Sequence, residues 1–128
     1  MKAGGLAARE SYAAGPAAAV WERTIGRVLR QTASRCPSVE ALVSRHQKLR
    51  FTWRELLLAT EKVAAGLLAL GLNPGDHVGV WSTNCAEWVL LQYACALSGI
   101  VLVNVNPAYR SHELRFVLQK SAIRILFL

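Results

Sequence analysis

The stretch His77-Val78-Gly79-Val80-Trp81-Ser82-Thr83-Asn84 decides the fold. Its first five residues are mostly branched or aromatic, as a strand requires, and the last three carry side-chain oxygens that can cap a helix. A helix is expected from about Cys85 to Leu97, with Glu87 favouring its positive end, until Gly99 stops it. Ile100 to Val103 is then a continuous branched apolar run, the pattern of a strand covered on both faces, and Asn104 to Pro107 breaks it. Ser111 offers a cap for a last helix with Leu114, Val117 and Leu118 facing inward, and Ile123 to Leu128 reads as one more apolar strand. Strand, helix, strand, helix, strand predicts parallel strands, right-handed crossovers and helices covering the sheet. The fold class is α/β, a partial parallel-sheet layer with covering helices.

Upstream of this unit, Asn73-Pro74-Gly75-Asp76 is turn chemistry. Before it, Thr52-Trp53-Arg54-Glu55 has the spacing of a capping box, in which hydroxyl and carboxylate each satisfy a backbone donor at a helix start. The helix so opened shows an apolar stripe of Leu56, Ala59, Val63, Leu67 and Leu70, and Gly71 stands where a left-handed residue ends it. Ala41 to Ser44 and Lys48 to Phe51 are short strand candidates flanking His46 and Gln47, a hairpin pattern. A first helix over Thr24 to Ser34 places Ile25, Val28, Leu29 and Thr32 on one face, and Cys36-Pro37 stops it. Residues 1–19, rich in Ala and Gly, read as a flexible arm, which leaves residues 20–128 as the structured domain.

The chain has 128 residues, enough for one small domain, and its composition is 53% hydrophobic and 18% charged, which argues against disorder. Its formal charge of +7 raises nucleic acid or anionic lipid as partners, but the cations occur singly and no aromatic residues interleave with them. A nucleic-acid function is therefore not expected. Trp88 to Val103 is interrupted by Gln92, Ser98 and Gly99 and is too short for a membrane span, and no secretion signal opens the chain. Cys36, Cys85 and Cys95 fit neither a zinc ribbon nor a redox pair and read as reduced thiols, which suits a reducing compartment.

A search for chemistry returns little. No glycine-rich phosphate loop of either common pattern occurs, and the best remaining anion seat is the Ser82-Thr83-Asn84 turn at a helix amino terminus, with plain capping as its alternative. His46, His77 and His112 are isolated, with no Cys or carboxylate at ligand spacing, so no metal site is expected. Ser82 and Ser111 lack a nucleophile-elbow context, and Asp76 and Glu87 form no recognisable acid-base pair. Trp53, Trp81, Trp88 and Tyr93 could line an acyl pocket, but core packing explains them better. No catalytic, cofactor-binding or metal-ligating residue is assigned.

Three segments together resemble a known family. They are Phe51-Thr52-Trp53-Arg54-Glu55-Leu56 with its helix to Gly71, the run Gly75 to Asn84, and Val103-Asn104-Val105-Asn106-Pro107-Ala108-Tyr109. They look like the opening of the large amino-terminal domain of the adenylate-forming, AMP-binding acyl-CoA synthetases. Asn106-Pro107-Ala108-Tyr109 with Glu113-Leu114, Ser11-Tyr12 and Glu87-Trp88-Val89-Leu90 are most similar to the medium-chain fatty acid ligases of that superfamily. The resemblance implies a ligase that uses ATP and magnesium to make an acyl adenylate and then passes the acyl group to coenzyme A. It also implies the mitochondrion as the compartment.

The family's phosphate loop, its later Thr-Glu motif, its ribose-binding Asp and its carboxyl-domain Lys have no counterpart here, so no position inherits a catalytic role. Because the chain stops inside Ile125-Leu126-Phe127-Leu128, the expectation is a truncated and incomplete domain over residues 20–128, inactive alone and binding no cofactor itself. Two other readings stand beside it: a regulatory fragment that associates with a full-length ligase or with itself through exposed apolar surface, and a small nucleotide-binding module.

Overall fold

The computed structural model describes residues 15–16 and 20–128; the arm expected over residues 1–19 lies almost wholly outside the described residues. The order is α1 (Ile25–Arg35), β1 (Glu40–Ser44), β2 (Leu49–Thr52), α2 (Trp53–Ala69), β3 (His77–Val80), α3 (Ala86–Ser98), β4 (Val101–Asn104), α4 (Ser111–Lys120) and β5 (Ile123–Phe127). Every element anticipated from the sequence is present, with ends displaced by a residue or two.

The three later strands form one sheet in the order β4-β3-β5, parallel throughout, while β1 and β2 form a separate antiparallel hairpin. The chain leaves β3, crosses to β4 on one side, then passes back beyond β3 to β5. Right-handed crossovers in both directions put α3 and α4 on opposite faces. The packing agrees: Val78 and Val80 of β3 share a core cluster with Leu91, Ala94 and Cys95 of α3 and Ala64 and Leu67 of α2, whereas α4 contributes no buried residue. Leu114, Val117 and Leu118, expected to face inward, are only half-buried, because α4 packs loosely against the other described elements.

The helices begin as their sequences direct, with two exceptions. Thr52 caps α2 in a complete capping box, its backbone N–H donating to Glu55 Oε2 at 2.8 Å and its hydroxyl accepting from Glu55 N–H. Thr24 caps α1 by accepting from Arg27 N–H at 3.2 Å. Ser111, expected to be a cap, is instead the first residue of α4; Arg110 occupies the cap position, and its N–H donates to Glu113 Oε2 at 3.2 Å. An arginine side chain has no acceptor, so only this half of a capping box forms. The other exception is α3, whose cap is Cys85, with no side-chain hydrogen bond to the helix backbone.

On α2 the buried face is Leu56, Thr60, Ala64 and Leu67. The sequence stripe shared only Leu56 and Leu67 with it. Ala59 and Val63 are half-buried, and Leu70 is 60% exposed because it already belongs to the turn. Helix spacing alone tolerates a stripe rotated by a third of a turn, and the small Ala64 lies in the cluster shared with α3. The termination at Gly71 is as expected, with φ at 80°.

Candidate functional site

Parallel α/β sheets bind ligands outside the carboxyl ends of their strands, where the connections diverge to opposite faces. In this chain that edge consists of the β3–α3 loop, the segment after β4 and the end of β5. Trp81 N–H donates to Phe127 O at 2.9 Å and Val105 N–H to Val80 O at 2.9 Å, so pairing extends one residue past β3 on the β5 side and one residue past β4 on the other. The Trp81 indole N–H then bridges to Asn106 O at 3.1 Å, tying the β3 loop to the β4 loop. Beside them lies a cleft of about 210 Å³ bounded by Val63, Val80, Cys85, Trp88, Leu91 and Phe127, with Ser82 and Glu87 also lining it.

The rim of this cleft is set from a distance. Gln47, in the β1–β2 turn, accepts the Ala86 N–H at 2.8 Å with Oε1 and donates to Glu87 Oε2 at 2.7 Å with Nε2. Ser44 donates its hydroxyl to the same Oε1 at 2.6 Å. The amino terminus of α3 is thus capped by the hairpin. The Gln47 side-chain hydrogen bond is the largest cause that holds the Glu87 carboxyl below its ordinary value. These contacts correct the expectation for Ser82-Thr83-Asn84: none of the three caps α3, and the helix end that could have received an anion already holds the Gln47 amide and the Glu87 carboxylate. Thr83 and Asn84 are exposed.

The histidines remain apart. His77 Nδ1 lies 2.6 Å from Ser121 O, His46 lies beside Ser44 at 3.4 Å, and His112 is exposed. Among the described residues no group of three His, Cys, Asp or Glu side chains could hold a metal ion. Asp76 accepts from Asn73 N–H at 2.7 Å and pairs with Arg124; the Asn73 hydrogen bond chiefly keeps its carboxyl below the ordinary range. It closes a turn and does not meet Glu87. The three cysteines are free, and burial pushes the Cys95 thiol up to about 11. Cys85, expected within a buried helix, stands at the helix start and is half-buried. Trp53, Trp81, Trp88 and Tyr93 are all half-buried, intermediate between core residues and pocket walls. Gln47 is the site residue that sequence reasoning missed, since a turn glutamine carries no local sign of a helix start 39 residues away.

The family description "AMP-binding enzyme" matches residues 29–128. The chain belongs to the AMP-binding enzyme family. Its likeness to other AMP-binding enzymes is close in sequence and in fold. It is 47% identical over 104 residues to a protein of Macaca fascicularis named medium-chain acyl-CoA ligase ACSF2, mitochondrial, a match over 81% of this chain and 17% of the relative. The zebrafish (Danio rerio) protein of the same name is 47% identical over 97 residues, covering 76% of this chain and 16% of its own length. The inhibitor-bound crystal structure of the amino-terminal domain of FACL13 from Mycobacterium tuberculosis superimposes with a TM-score of 0.78 at 31% identity. That match covers 80% of this chain and 26% of the crystallised one. The chain therefore spans about a sixth of the length of its curated relatives. As an AMP-binding enzyme segment it has the α/β parallel layer of the amino-terminal domain, as the sequence implied. No described helix is long and apolar enough to cross a membrane.

Proposed function

We propose that the chain forms the opening sheet layer of an ATP-dependent, medium-chain fatty acid–CoA ligase of the mitochondrion, and that it catalyses no step by itself. The identity of 47% over 81% of the chain with a relative named for that activity and compartment carries this reading. ATP, magnesium, fatty acid and coenzyme A are the reactants it assigns to the whole ligase. The described residues do not fit ATP or magnesium. Two helices start at the sheet's carboxyl edge, and each carries a carboxylate in its first turn: α3 has Glu87, held ionised, with its first N–H occupied by Gln47, and α4 has Glu113, which accepts the Arg110 N–H; both repel a triphosphate. Adenylation needs fixed positive charge where pyrophosphate departs, and the cation at these helix starts, Arg110, stands at the cap position of α4, where its N–H already bonds Glu113. What the chain contributes is the apolar cleft, the loops around it and the sheet on which further strands can pair.

The test is complementation. The Macaca relative, produced without the 104 residues matched here, is co-expressed with this chain and assayed for acyl-CoA with acids of graded length. Formation of medium-chain acyl-CoA only when both pieces are present supports the proposal. No product, or a preference for long-chain acids, overturns it. Val101 of β4 and Phe116 of α4 are 41% and 58% exposed, which favours association through this side as a second reading. Sedimentation of the chain alone in the same preparation reports whether it self-associates.

A further inference from the structure

We propose that Gln47 is a positioning residue: one carboxamide caps α3 across the domain and thereby fixes the hairpin against the carboxyl edge of the parallel sheet. Ala86 is the first residue of α3, so no helical carbonyl precedes it to accept its N–H. The Gln47 oxygen fills that need at 2.8 Å, while the amide nitrogen of the same group holds Glu87 at 2.7 Å. Cys85, the residue at the cap position, makes no side-chain bond that could substitute. Ser44 fixes the rotamer of Gln47 from its own strand, and the turn closes through Lys48 N–H to Arg45 O at 3.2 Å, with Lys48 at φ 56°.

Two consequences follow from one side chain serving two elements. A shift of the hairpin moves the first turn of α3, which carries the Glu87 rim of the cleft. Conversely, a ligand that seats in the cleft against Trp88 and Glu87 restrains the hairpin turn. This coupling is independent of whether the chain takes part in adenylation, since it rests on hydrogen bonds within residues 44–87.

Native-state amide exchange on the full chain tests it. Gln47→Met keeps the length and apolar stem of the side chain and removes both hydrogen bonds. The Ala86 amide should exchange roughly five- to thirtyfold faster, the range that loss of a cap implies, and the Lys48 amide should accelerate with it. Adding Cys85→Ser places a hydroxyl at the cap position, where it can accept from Glu87 or Trp88 N–H. In that double variant the Trp88 amide should recover protection while Ala86 and Lys48 remain fast. Unchanged Ala86 and Lys48 rates in Gln47→Met overturn the proposal. So does recovery of Lys48 in the double variant, which would make Gln47 a helix cap and nothing more. Gln47→Ala, read against the same amides and a urea melt, separates local opening from any general loss of stability.

Discussion

Val78→Asp is expected to leave the chain without a cooperative unfolding transition in urea. Val78 is fully buried on the central strand, paired with Leu102 on one side and Ile125 on the other, and packed into the cluster that α2 and α3 cover. A carboxylate there has no cation or free N–H among its cluster neighbours. Burying an unpaired charge costs several kcal/mol, in addition to the apolar contact removed. A domain of this size has a total stability of about 5–15 kcal/mol, so the penalty takes most or all of it. The matched control is Val101→Asp. Val101 begins the edge strand β4, is 41% exposed, and points to the face that α4 covers incompletely. There the cost should be about 1 kcal/mol or less, the span of strand preference at a surface position. Circular dichroism during urea titration distinguishes the two variants, and comparable midpoints would refute this picture of where the core lies.

The second large effect is expected at Gly26, where α1 meets α3. A Cβ on this residue would lie 3.0 Å from the Ala96 carbonyl oxygen and 3.3 Å from Leu97 Cα, both backbone atoms that cannot swing aside. Gly26→Leu should force α1 away from α3 and uncover Leu29 and Ala33, which are buried between them. Overpacking of this kind costs about 1–3 kcal/mol, more than the roughly 1 kcal/mol that replacing a helical glycine returns. Gly66 of α2 is the counterexample, since nothing lies within 4 Å of a Cβ there. Gly66→Ala should stabilise by about 0.5–1 kcal/mol. The two substitutions share a residue type and an element type and should shift the thermal midpoint in opposite directions.

The contrast between these glycines also shows what a sequence discloses and what it conceals. The capping box at Thr52 and Glu55, the left-handed stop at Gly71 and the apolar run at Ile100 to Val103 were legible because each is decided within a few residues. The parallel order followed from their alternation. The direction and depth of packing were less accessible. Thr60 and Ala64 are buried where Ala59 and Val63 were expected, because helix spacing tolerates a rotated stripe and a threonine does not register in a hydrophobic pattern. At Gly26 the backbone of the neighbouring helix, not anything in the local sequence, requires glycine.

The candidate site was legible only in outline. Ser82, Thr83 and Asn84 are the right residue types for a cap, and local reasoning placed them there. The cap comes instead from Gln47 because the hairpin folds over the helix start, a contact between elements with no signature in either segment alone.

ATP–pyrophosphate exchange tests the scaffold reading most directly. Purified chain is incubated with ATP, magnesium, octanoate and radiolabelled pyrophosphate, and label in ATP is counted as the chain concentration is raised. A sheet layer without a phosphate clamp gives no exchange above the protein-free blank at any concentration. Exchange that depends on octanoate and rises in proportion to the chain would contradict it.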